Sequence, residues 1–491
     1  MSDHEIEPTG DGTPQERPVK KGREYTLTAE AAAFEGGCVA RYEGMAVFVT
    51  GCVPGDTVRA LVTKTRKRHA EARTLEVLVP SPTRVTPPCS YFGTCGGCKW
   101  QNLAYGEQLR WKRQHVVDAF ERIGGLEDVE VRPTIGNAEE YWYRNKMEYS
   151  FGDRRWLTDE EIASGADLNR DFALGLHVPG RFDRVLDIDK CWLQSELSNR
   201  VRNATRRFAL DNELSIYNTH THTGLLRNLV IRQSRASGET MALLVSSDDA
   251  TETIDRWARF IRVEFPEVTT IVQGINRKKA QIAFSEETRV LHGPGTITES
   301  VAGNEFTISP FSFFQTNSLQ AERLYEQALD AASLGGGEVV WDLYCGAGTI
   351  TLAAARRARQ ALGIELNAIA IDDARANASR NGIANAEFIA GDLKDVLEEL
   401  KAAEAGADVP HHLVRPDVVI TDPPRAGMHE DVVRRLLELA PERISYVSCN
   451  PTTQARDCAI LAEAYRVEYV QPVDMFPQTY HVETVARLVR R

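Results

Sequence analysis

The chain has 491 residues, of which 42% are hydrophobic and 26% are charged, and its formal net charge is −12. At roughly 150 residues per domain, this length predicts about three globular domains. No stretch of the sequence approaches the roughly 18 consecutive apolar residues of a membrane span, and the acidic N-terminal segment lacks the apolar core of a signal peptide. We therefore expect a cytoplasmic protein without a membrane partner.

The N-terminal part of the sequence predicts a short tail and a small barrel. Residues 1–21 are rich in proline, glycine and acid, which predicts a disordered tail, and residues 22–84 contain short β segments between glycine-rich turns, which predict a β-barrel of four or five strands. Seven basic residues against two acidic ones (Glu71 and Glu76) lie towards the end of this barrel: Arg59, Lys64, Arg66, Lys67, Arg68, Arg73 and Arg84. A local basic surface is compatible with RNA binding, and a solvated charged hairpin explains the pattern equally well.

Two further domains are predicted after the barrel. Residues 85–310 mix strands and helices and predict a central α+β domain. Residues 311–491 start with a helical segment and then alternate apolar strands with amphipathic helices. This alternation predicts an α/β fold with a parallel, doubly wound, Rossmann-like sheet.

A glycine-rich turn between a strand and a helix is the candidate cofactor site. Gly346 and Gly348 let the backbone approach a ligand closely, and Glu365 ends the next strand, where a carboxylate can accept hydrogen bonds from ribose hydroxyls. Threonine occupies position 351, where a dinucleotide fold needs a third glycine. A ligand without a pyrophosphate, such as S-adenosylmethionine, therefore fits better than a dinucleotide; a turn that binds no ligand is the alternative.

The ends of the next two strands supply two more acidic residues. Asp392 ends the third strand and is expected to contact the adenine edge, and Asp422 ends the fourth in an Asp-Pro-Pro-Arg motif. Open α/β sheets bind ligands at the carboxyl ends of their strands. Arg425 stands where amino-methylating enzymes usually carry an aromatic residue, which argues against methylation of an amino group.

The fifth strand ends at Cys449, which we expect beside the methyl donor. Uracil C5 is too electron-poor to attack a methyl group, but a thiolate that adds at C6 makes C5 nucleophilic, and a base must then remove the C5 proton. Glu483 is the candidate base, and His481, which alternates with it along the strand, is the rival. A buried thiol without a chemical role is the alternative for Cys449. The thiol needs a lowered pKa, which a polar site near a cationic donor can supply.

Four of the nine cysteines form a candidate metal site. Cys89, Cys95 and Cys98 lie close together in the sequence, and Cys191 follows after 92 residues. In a chain without a secretion signal, such cysteines indicate metal ligands more than disulfides. Four thiolates suit a [4Fe-4S] cluster, which tolerates one remote ligand, and zinc is the alternative.

These motifs together resemble the RNA uracil-5-methyltransferases, in particular the branch with an N-terminal TRAM barrel and an iron–sulfur cluster. The resemblance extends from about residue 22 to residue 491 and includes the four cysteines, "FSFFQTN" at 311–317, "DLYCGAGT", "GIE", "DPPRAG" at 422–427, "SCNP" and "HVET". These segments occur in the order in which the family carries them.

The resemblance implies a role for most of the candidate residues. Cys449 would be the nucleophile and Glu483 the proton acceptor, and Thr349 stands where some members carry an asparagine that contacts the donor. Asp392 would lie beside the pocket for S-adenosylmethionine and uracil, whose lining would include Gln315, Tyr344, Glu365 and Asp422. The barrel would bind RNA through phosphate contacts and base stacking.

The expected function is methylation of uridine C5 in structured RNA by a monomeric enzyme, with ribosomal RNA as the first candidate substrate and transfer RNA as the second. Two alternatives remain at this stage. One is a cytidine-5 RNA methyltransferase, which uses the same thiolate chemistry. The other is a non-catalytic, iron–sulfur RNA-binding protein, against which the presence of Cys449, Glu483 and Asp422 argues.

Overall fold

The computed structural model describes residues 18–279, 282–409 and 413–491. Most of the predicted tail, residues 1–17, lies outside the described residues, and Val19 is buried in the core of the barrel. The chain forms two compact units: one extends to Thr86 and includes Asn102–Ala104, and the other comprises Pro87–Gln101 and Tyr105–Arg491. Within the described residues, no helix is both long and apolar enough to cross a membrane.

The first unit is a closed barrel of five strands, which confirms the predicted small barrel. The strands follow the order β1-β2-β3-β5-β4 around the barrel. Alternation of inward and outward residues explains the closure, since Val47 and Val49 are buried while Phe48 between them is 40% exposed. The five strands are β1 (Glu24–Ala32), β2 (Cys38–Tyr42), β3 (Met45–Thr50), β4 (Thr57–Thr65) and β5 (His69–Val79).

The second unit begins with helix α1 (Tyr105–Arg122) and the two-residue strand β6 (Glu130–Val131), followed by an eight-stranded mixed sheet. The strands of that sheet are β7 (Lys146–Gly152), β8 (Arg155–Trp156), β9 (Ala173–Val178), β10 (Arg181–Asp187), β11 (Leu226–Gln233), β12 (Thr240–Ser246), β13 (Thr270–Ile275) and β14 (Glu287–His292). Its helices are α2 (Asp159–Ser164), α3 (Glu196–Asp211) and α4 (Thr251–Glu264). The apolar faces of α3 and α4, which include Phe208 and Trp257, share one core with β11 and β12.

The same unit continues with a hairpin, β15 (Ile297–Val301) and β16 (Asn304–Ile308), and then with a second eight-stranded sheet. The strand order of this sheet is β19-β18-β17-β20-β21-β23-β22-β6. Its strands are β17 (Val339–Leu343), β18 (Gln360–Glu365), β19 (Ala386–Ala390), β20 (Val418–Thr421), β21 (Arg443–Ser448), β22 (Tyr465–Val473) and β23 (Glu483–Arg490). Its helices are α5 (Ser318–Ala332), α6 (Thr349–Ala355), α7 (Ala368–Arg380), α8 (Leu393–Glu404), α9 (Glu430–Leu439) and α10 (Pro451–Leu461).

Strands β17 to β21 are parallel, which confirms the predicted Rossmann-like arrangement. Strand β23 differs from the prediction, because it runs antiparallel between β21 and β22. Strand β6 pairs with β22, and Val116 and Phe120 of α1 share a core with Trp341 of β17. Both α1 and β6 thus pack with this sheet although they precede the central sheet in sequence. The predicted domain boundaries at 84 and 310 stay predictions.

Candidate active site

The loop after β17 needs glycine at two positions. The backbone φ angles of Gly346 and Gly348 are 53° and 82°, in the left-handed region that favours glycine. A Cβ on Gly348 would lie 3.0 Å from the Phe388 ring, whereas one on Gly346 would meet no atom within 4 Å. The amide of Gly346 donates a hydrogen bond to Oε2 of Glu365 at 3.3 Å. The loop therefore lies open beside a carboxylate at the end of β18.

A buried carboxyl group beneath this loop was missed by the sequence analysis. Asp342 of β17 is 1% exposed; its Oδ2 accepts a hydrogen bond from Thr351 at 2.5 Å, and no described group hydrogen-bonds to its Oδ1. Burial, with the charges of Asp422 and Glu365, raises the pKa of Asp342 to about 7. The sequence does contain a signal for this residue, because an acidic side chain inside the otherwise apolar strand "VVWDL" is unusual.

The strand ends bring Asp422, Cys449 and Glu483 to one edge of the sheet. Asp422 follows β20, and its amide donates to the carbonyl of Leu343 at 3.3 Å. Cys449 follows β21, whose last residue pairs with the residue after Glu483 in β23. The antiparallel direction of β23 is what returns Glu483 to the edge where the parallel strands end.

The charge of Asp422 acts on Glu483, and the charges of both act on Cys449. Burial raises the pKa of Asp422 to about 6, and burial together with the charge of Asp422 raises the pKa of Glu483 to about 8. Burial and the charges of Glu483 and Asp422 raise the pKa of the Cys449 thiol to about 11. Crowded, buried acids of this kind fit a cationic ligand, because a positive charge would stabilise their ionised forms.

The Cys449 thiol is therefore not activated by these side chains alone. Arg425 opposes the increase in its pKa, and Cys449 immediately precedes Asn450, which caps α10 before its first residue, Pro451. The N-terminal end of a helix carries a partial positive charge that favours a thiolate. Two carboxyl groups, those of Asp422 and Glu483, disfavour the thiolate. Activation of the thiol therefore requires that Arg425, the N-terminal end of α10 and a cationic ligand together lower its pKa by more than the carboxyl groups raise it.

The electrostatics favour Glu483 over His481 as a base. Burial and the positive charges of Arg425, Lys112 and Arg144 lower the pKa of His481 to about 4. Its imidazole is consequently a weak proton acceptor, whereas Glu483 has a pKa of about 8. His481 also lies before the first residue of β23 and not in the strand, and its ring contacts Tyr480 with centroids 4.2 Å apart.

Two of the remaining predicted cofactor residues, Gln315 and Thr349, lie next to helix α5. Gln315 precedes α5, and its carbonyl accepts a hydrogen bond from Nδ2 of Asn145 at 2.9 Å. The hydroxyl of Thr349 donates to that of Tyr325 at 3.5 Å. Tyr325 was also missed: it is buried on α5, and burial together with the charges of Asp422, Asp342 and Glu483 raises its pKa. No spacing in the sequence links α5 to this site.

Asp392 follows β19 and Tyr344 follows β17, and the charge of Asp392 acts on the Tyr344 hydroxyl. Asp392 caps α8, because its Oδ1 accepts a hydrogen bond from the amide of Lys394 at 2.8 Å. Burial and the charges of Asp392, Asp457 and Glu365 raise the pKa of Tyr344 to about 12. Tyr344 has a φ of 64°, which marks a constrained backbone next to the glycine-rich loop. The contact of Asp392 with adenine stays a prediction.

The four predicted metal-ligating cysteines line a single cavity of about 500 Å³. Burial is the main cause that raises the pKa of Cys95 to about 11 and of Cys98 to about 12, and the charge of Cys191 adds to both increases. Cys89 shows the same effects. In residues 18–279, 282–409 and 413–491, no group of three or more Cys, His, Asp or Glu side chains has the arrangement that holds a metal ion.

Two family profiles match the chain. A profile described as tRNA (uracil-5-)-methyltransferase matches residues 278–491, and a TRAM domain profile matches residues 18–75. The second match covers most of the five-stranded barrel. The predicted resemblance to the uracil-5-methyltransferase family with a TRAM barrel is confirmed, while membership of its iron–sulfur branch stays a prediction.

Similar proteins cover nearly the whole chain. A protein from Bacteroides thetaiotaomicron named as an uncharacterized RNA methyltransferase is 45% identical over 462 residues, which is 94% of this chain and 100% of that protein. A protein from Chlorobaculum tepidum, also named as an RNA methyltransferase, is 43% identical over 96% of this chain and 97% of its own length. The crystal structure of the Pyrococcus abyssi tRNA (uracil-54, C5)-methyltransferase with S-adenosyl-L-homocysteine has a TM-score of 0.70 and 28% identity, covering 95% of this chain and 100% of that one.

The relatives and the site agree on the class of reaction. An open glycine-rich loop beside buried carboxyl groups suits a cationic methyl donor, and the structural relative binds the demethylated product of that donor. The chain belongs to the tRNA (uracil-5-)-methyltransferase family, and it is an RNA methyltransferase that uses S-adenosylmethionine.

Proposed function

We propose that this enzyme methylates C5 of uridine in RNA through a covalent bond between Cys449 and C6 of the base. The observation that carries the proposal is the presence of a thiol and a buried carboxyl group, that of Glu483, at one sheet edge beside the glycine-rich loop. The named activity of the Pyrococcus abyssi relative on uracil C5 supports the same reaction.

The reaction begins at Cys449. Its Sγ loses a proton to solvent and bonds to C6, and the electrons of the C5=C6 double bond move onto C5 and O4 of the base. S-adenosylmethionine, when bound, would supply the methyl group from its sulfonium: the electron pair on C5 would form the new C5–CH3 bond, and both electrons of the broken S–CH3 bond would remain on the departing sulfur. Asp422 lies close enough to influence Cys449 electrostatically, and we assign it to the wall shared by uracil and the donor.

Glu483 completes the reaction. Its carboxylate accepts the proton from C5, the electrons of that C–H bond restore the C5=C6 double bond, and the thiolate of Cys449 leaves C6. A base with a pKa of about 8 is well matched to this step, because it is strong enough to accept the proton and is still partly ionised near neutral pH.

We assign the donor to the loop after β17 and the residues around it. Gly346 and Gly348 would lie against it, and Glu365, whose two oxygens each accept one backbone amide, would use its remaining lone pairs to accept hydrogen bonds from the ribose. The carboxyl groups of Asp342 and Asp422 would balance its positive charge. The other proposed contacts are Gln315, Tyr344, Thr349 and Asp392.

The decisive test uses RNA that contains 5-fluorouridine. A fluorine at C5 cannot be removed as a proton, so the enzyme should remain covalently attached to the RNA at Cys449. We expect Cys449→Ala to abolish both the adduct and methylation while it retains S-adenosylhomocysteine binding, and Cys458→Ala, which changes a buried thiol of α10, to retain both. Continued methylation by Cys449→Ala would contradict the covalent mechanism, and 5-methylcytidine as the product would contradict the choice of base.

The substrate is proposed to be structured RNA, with ribosomal RNA first and transfer RNA second. The profile description and the name of the Pyrococcus abyssi relative both mention transfer RNA, so they support the second candidate. Mass-spectrometric mapping of 5-methyluridine in both RNA classes, from a strain with and without the gene, distinguishes them. The missing modification identifies the substrate.

We propose that Cys89, Cys95, Cys98 and Cys191 hold a [4Fe-4S] cluster. Four thiols that line a cavity fit a polynuclear cluster better than one zinc ion, which needs its ligand atoms about 2.3 Å from a single centre. A bound cation would also reverse the raised thiol pKa values, because the ligating form is the thiolate.

Purification without oxygen tests the cluster. We expect a brown protein with iron, sulfide and visible absorbance, and we expect Cys95→Ser to lose them while Cys458→Ser keeps them. A colourless protein that contains zinc would contradict the proposal.

A further inference from the structure

A cluster of two indole rings and one ammonium group lies next to the cysteine cavity and has no part in the proposed reaction. The rings of Trp142 and Trp192 have centroids 5.1 Å apart, and Nζ of Lys190 lies 5.4 Å and 4.6 Å from them. All three side chains are partly exposed. We call these three residues the tryptophan surface.

The backbone at Trp142 is constrained to present its ring. Its φ is 61°, which a bulky L-residue rarely adopts, so glycine would be the unstrained choice at this position. Two hydrogen bonds hold the turn: the amide of Trp142 donates to the carbonyl of Trp192 at 2.8 Å, and Nη2 of Arg235 donates to the carbonyl of Trp142 at 3.0 Å. Strain of this kind is concentrated at functional sites.

The tryptophan surface is close along the chain to residues that contact Gln315, which is predicted to line the donor pocket. Three residues after Trp142, Asn145 donates hydrogen bonds to the carbonyls of Gln315 and Thr316, and this stretch of chain spans at most roughly 10 Å. Arg144, between them, lies close enough for its charge to lower the pKa of His481. One extended strand of RNA is therefore able to reach from one site to the other.

The chemistry of the surface suits unpaired nucleotides. Aromatic rings stack on bases, and neighbouring cations contact the phosphates. Arg144, Lys146 and Lys190 line the same cavity as Trp192. The ion pair of Lys190 with Glu196 is long, at 3.6 Å, and both side chains are exposed, so it competes weakly with a phosphate.

We propose that the tryptophan surface stacks one or two unpaired bases of the substrate RNA that flank the target uridine, with Lys190 and Arg144 contacting their phosphates. The proposal rests on the proposed function, in which the substrate is RNA. A competing role is shielding of the cysteine site from solvent, since Trp192 directly follows Cys191.

The first test measures binding of a fluorescein-labelled oligouridylate decamer in the presence of S-adenosylhomocysteine. Trp142→Gly removes the ring and suits the backbone, and Trp192→Ala removes the other ring; each should weaken binding by roughly 5- to 100-fold, the loss typical of a stacking aromatic. Trp142→Phe should retain most of the affinity. Lys190→Gln should lower the slope of log affinity against log salt by about 0.7, whereas Lys401→Gln, which changes an exposed lysine of α8, should not alter it.

The second test uses the unaltered protein, so that no variant has to fold. A 5-iodouridine decamer is photo-crosslinked to it, and the attached residue is identified by mass spectrometry. Attachment at Trp142 or Trp192 supports the proposal. The proposal is overturned if the RNA attaches only to other residues, or if both tryptophan variants bind the decamer with full affinity. In that case the tryptophans shield the cysteine site, and the variants should lose iron instead. Neither readout depends on Cys449, so a failure of the covalent mechanism is distinguishable from a failure of this proposal.

Discussion

The raised pKa of Glu483 sets the pH at which this residue can act as a base. Because its pKa is about 8, the carboxyl group is largely protonated at neutral pH, and its ionised fraction grows as the pH rises. We expect kcat/KM to increase with pH through the pKa of Glu483, and deprotonation of the Cys449 thiol to add a further increase at higher pH. Asp422→Asn removes a charge that raises this pKa, so the midpoint should move to lower pH even where the rate falls. A pH profile that is flat, or unmoved in this variant, would contradict the assignment.

The buried carboxyl groups also predict how the enzyme distinguishes donor from product. The donor carries one more positive charge than its demethylated product, and Asp342, Asp422 and Glu483 ionise between about pH 6 and pH 8. The ratio of donor affinity to product affinity should therefore rise with pH over this range. Calorimetric titrations with S-adenosylmethionine and S-adenosylhomocysteine measure it, and Asp342→Asn should weaken the dependence. A ratio independent of pH would mean that these carboxyl groups do not face the sulfur.

At the level of elements, helix α1 holds the segment that leads to Glu483. Nζ of Lys112 donates to Asp474 at 2.5 Å and to the carbonyl of Phe476 at 3.1 Å, and both ion-paired side chains are fully buried. Gln108 of the same helix exchanges hydrogen bonds with Gln478. The carbonyl of Gln478 also accepts hydrogen bonds from the amides of residues 99 and 100, which follow the cysteine triplet. The segment that leads to the proposed base, Glu483, is thus fixed by elements that precede it by several hundred residues in the sequence.

Removal of one partner of the Lys112–Asp474 pair should be strongly destabilising. Lys112→Met leaves the carboxylate of Asp474 buried without its cation, and we expect the free energy of unfolding to fall by about 3–5 kcal/mol. The double variant Lys112→Met, Asp474→Leu should recover much of that loss, because no charge stays buried. Arg110→Met, which breaks an exposed pair on the same helix, should change stability by less than about 1 kcal/mol. Urea unfolding measures all three, and equal losses for Lys112→Met and Arg110→Met would disprove the buried-pair account.

The sequence was most informative where structure is local. The barrel, the parallel strands and the turn at Gly346 and Gly348 follow from alternation, periodicity and backbone requirements within short stretches. The antiparallel direction of β23 was not predictable in this way, because strand direction depends on what the strand pairs with. The Lys112–Asp474 pair and the position of Tyr325 were missed for a similar reason: their partners are remote in sequence, and only packing brings them together.

At the level of the whole molecule, an acidic protein is expected to bind RNA through local basic surfaces. Arg66, Lys67 and Arg68 form an exposed turn between β4 and β5, whereas Arg59 is engaged by Glu24 and Glu76 at 2.7 Å and 3.0 Å. The net charge of −12 therefore says little about this part of the barrel.

Neutralising that turn should change the salt dependence of RNA binding. With Arg66, Lys67 and Arg68 all changed to Gln, we expect weaker binding of the identified substrate and a slope of log affinity against log salt that is smaller by up to about 2. Arg59→Gln is the matched control and should have a smaller effect, because its charge is already balanced. Filter binding over a series of salt concentrations measures both. An unchanged slope in the triple variant would show that phosphates do not contact this turn.

The pairing of Val131 in β6 with Val470 in β22 has a consequence for biosynthesis. Most of the polypeptide lies between these two residues, so α1 and β6 emerge from the ribosome long before the strand and helix that cover them exist. Their apolar side chains therefore lack their native packing partners until translation is almost finished, and until then they are exposed or covered by another protein. A nascent chain that stalls before residue 451 would carry this unsatisfied surface, and it would be a natural client for a chaperone.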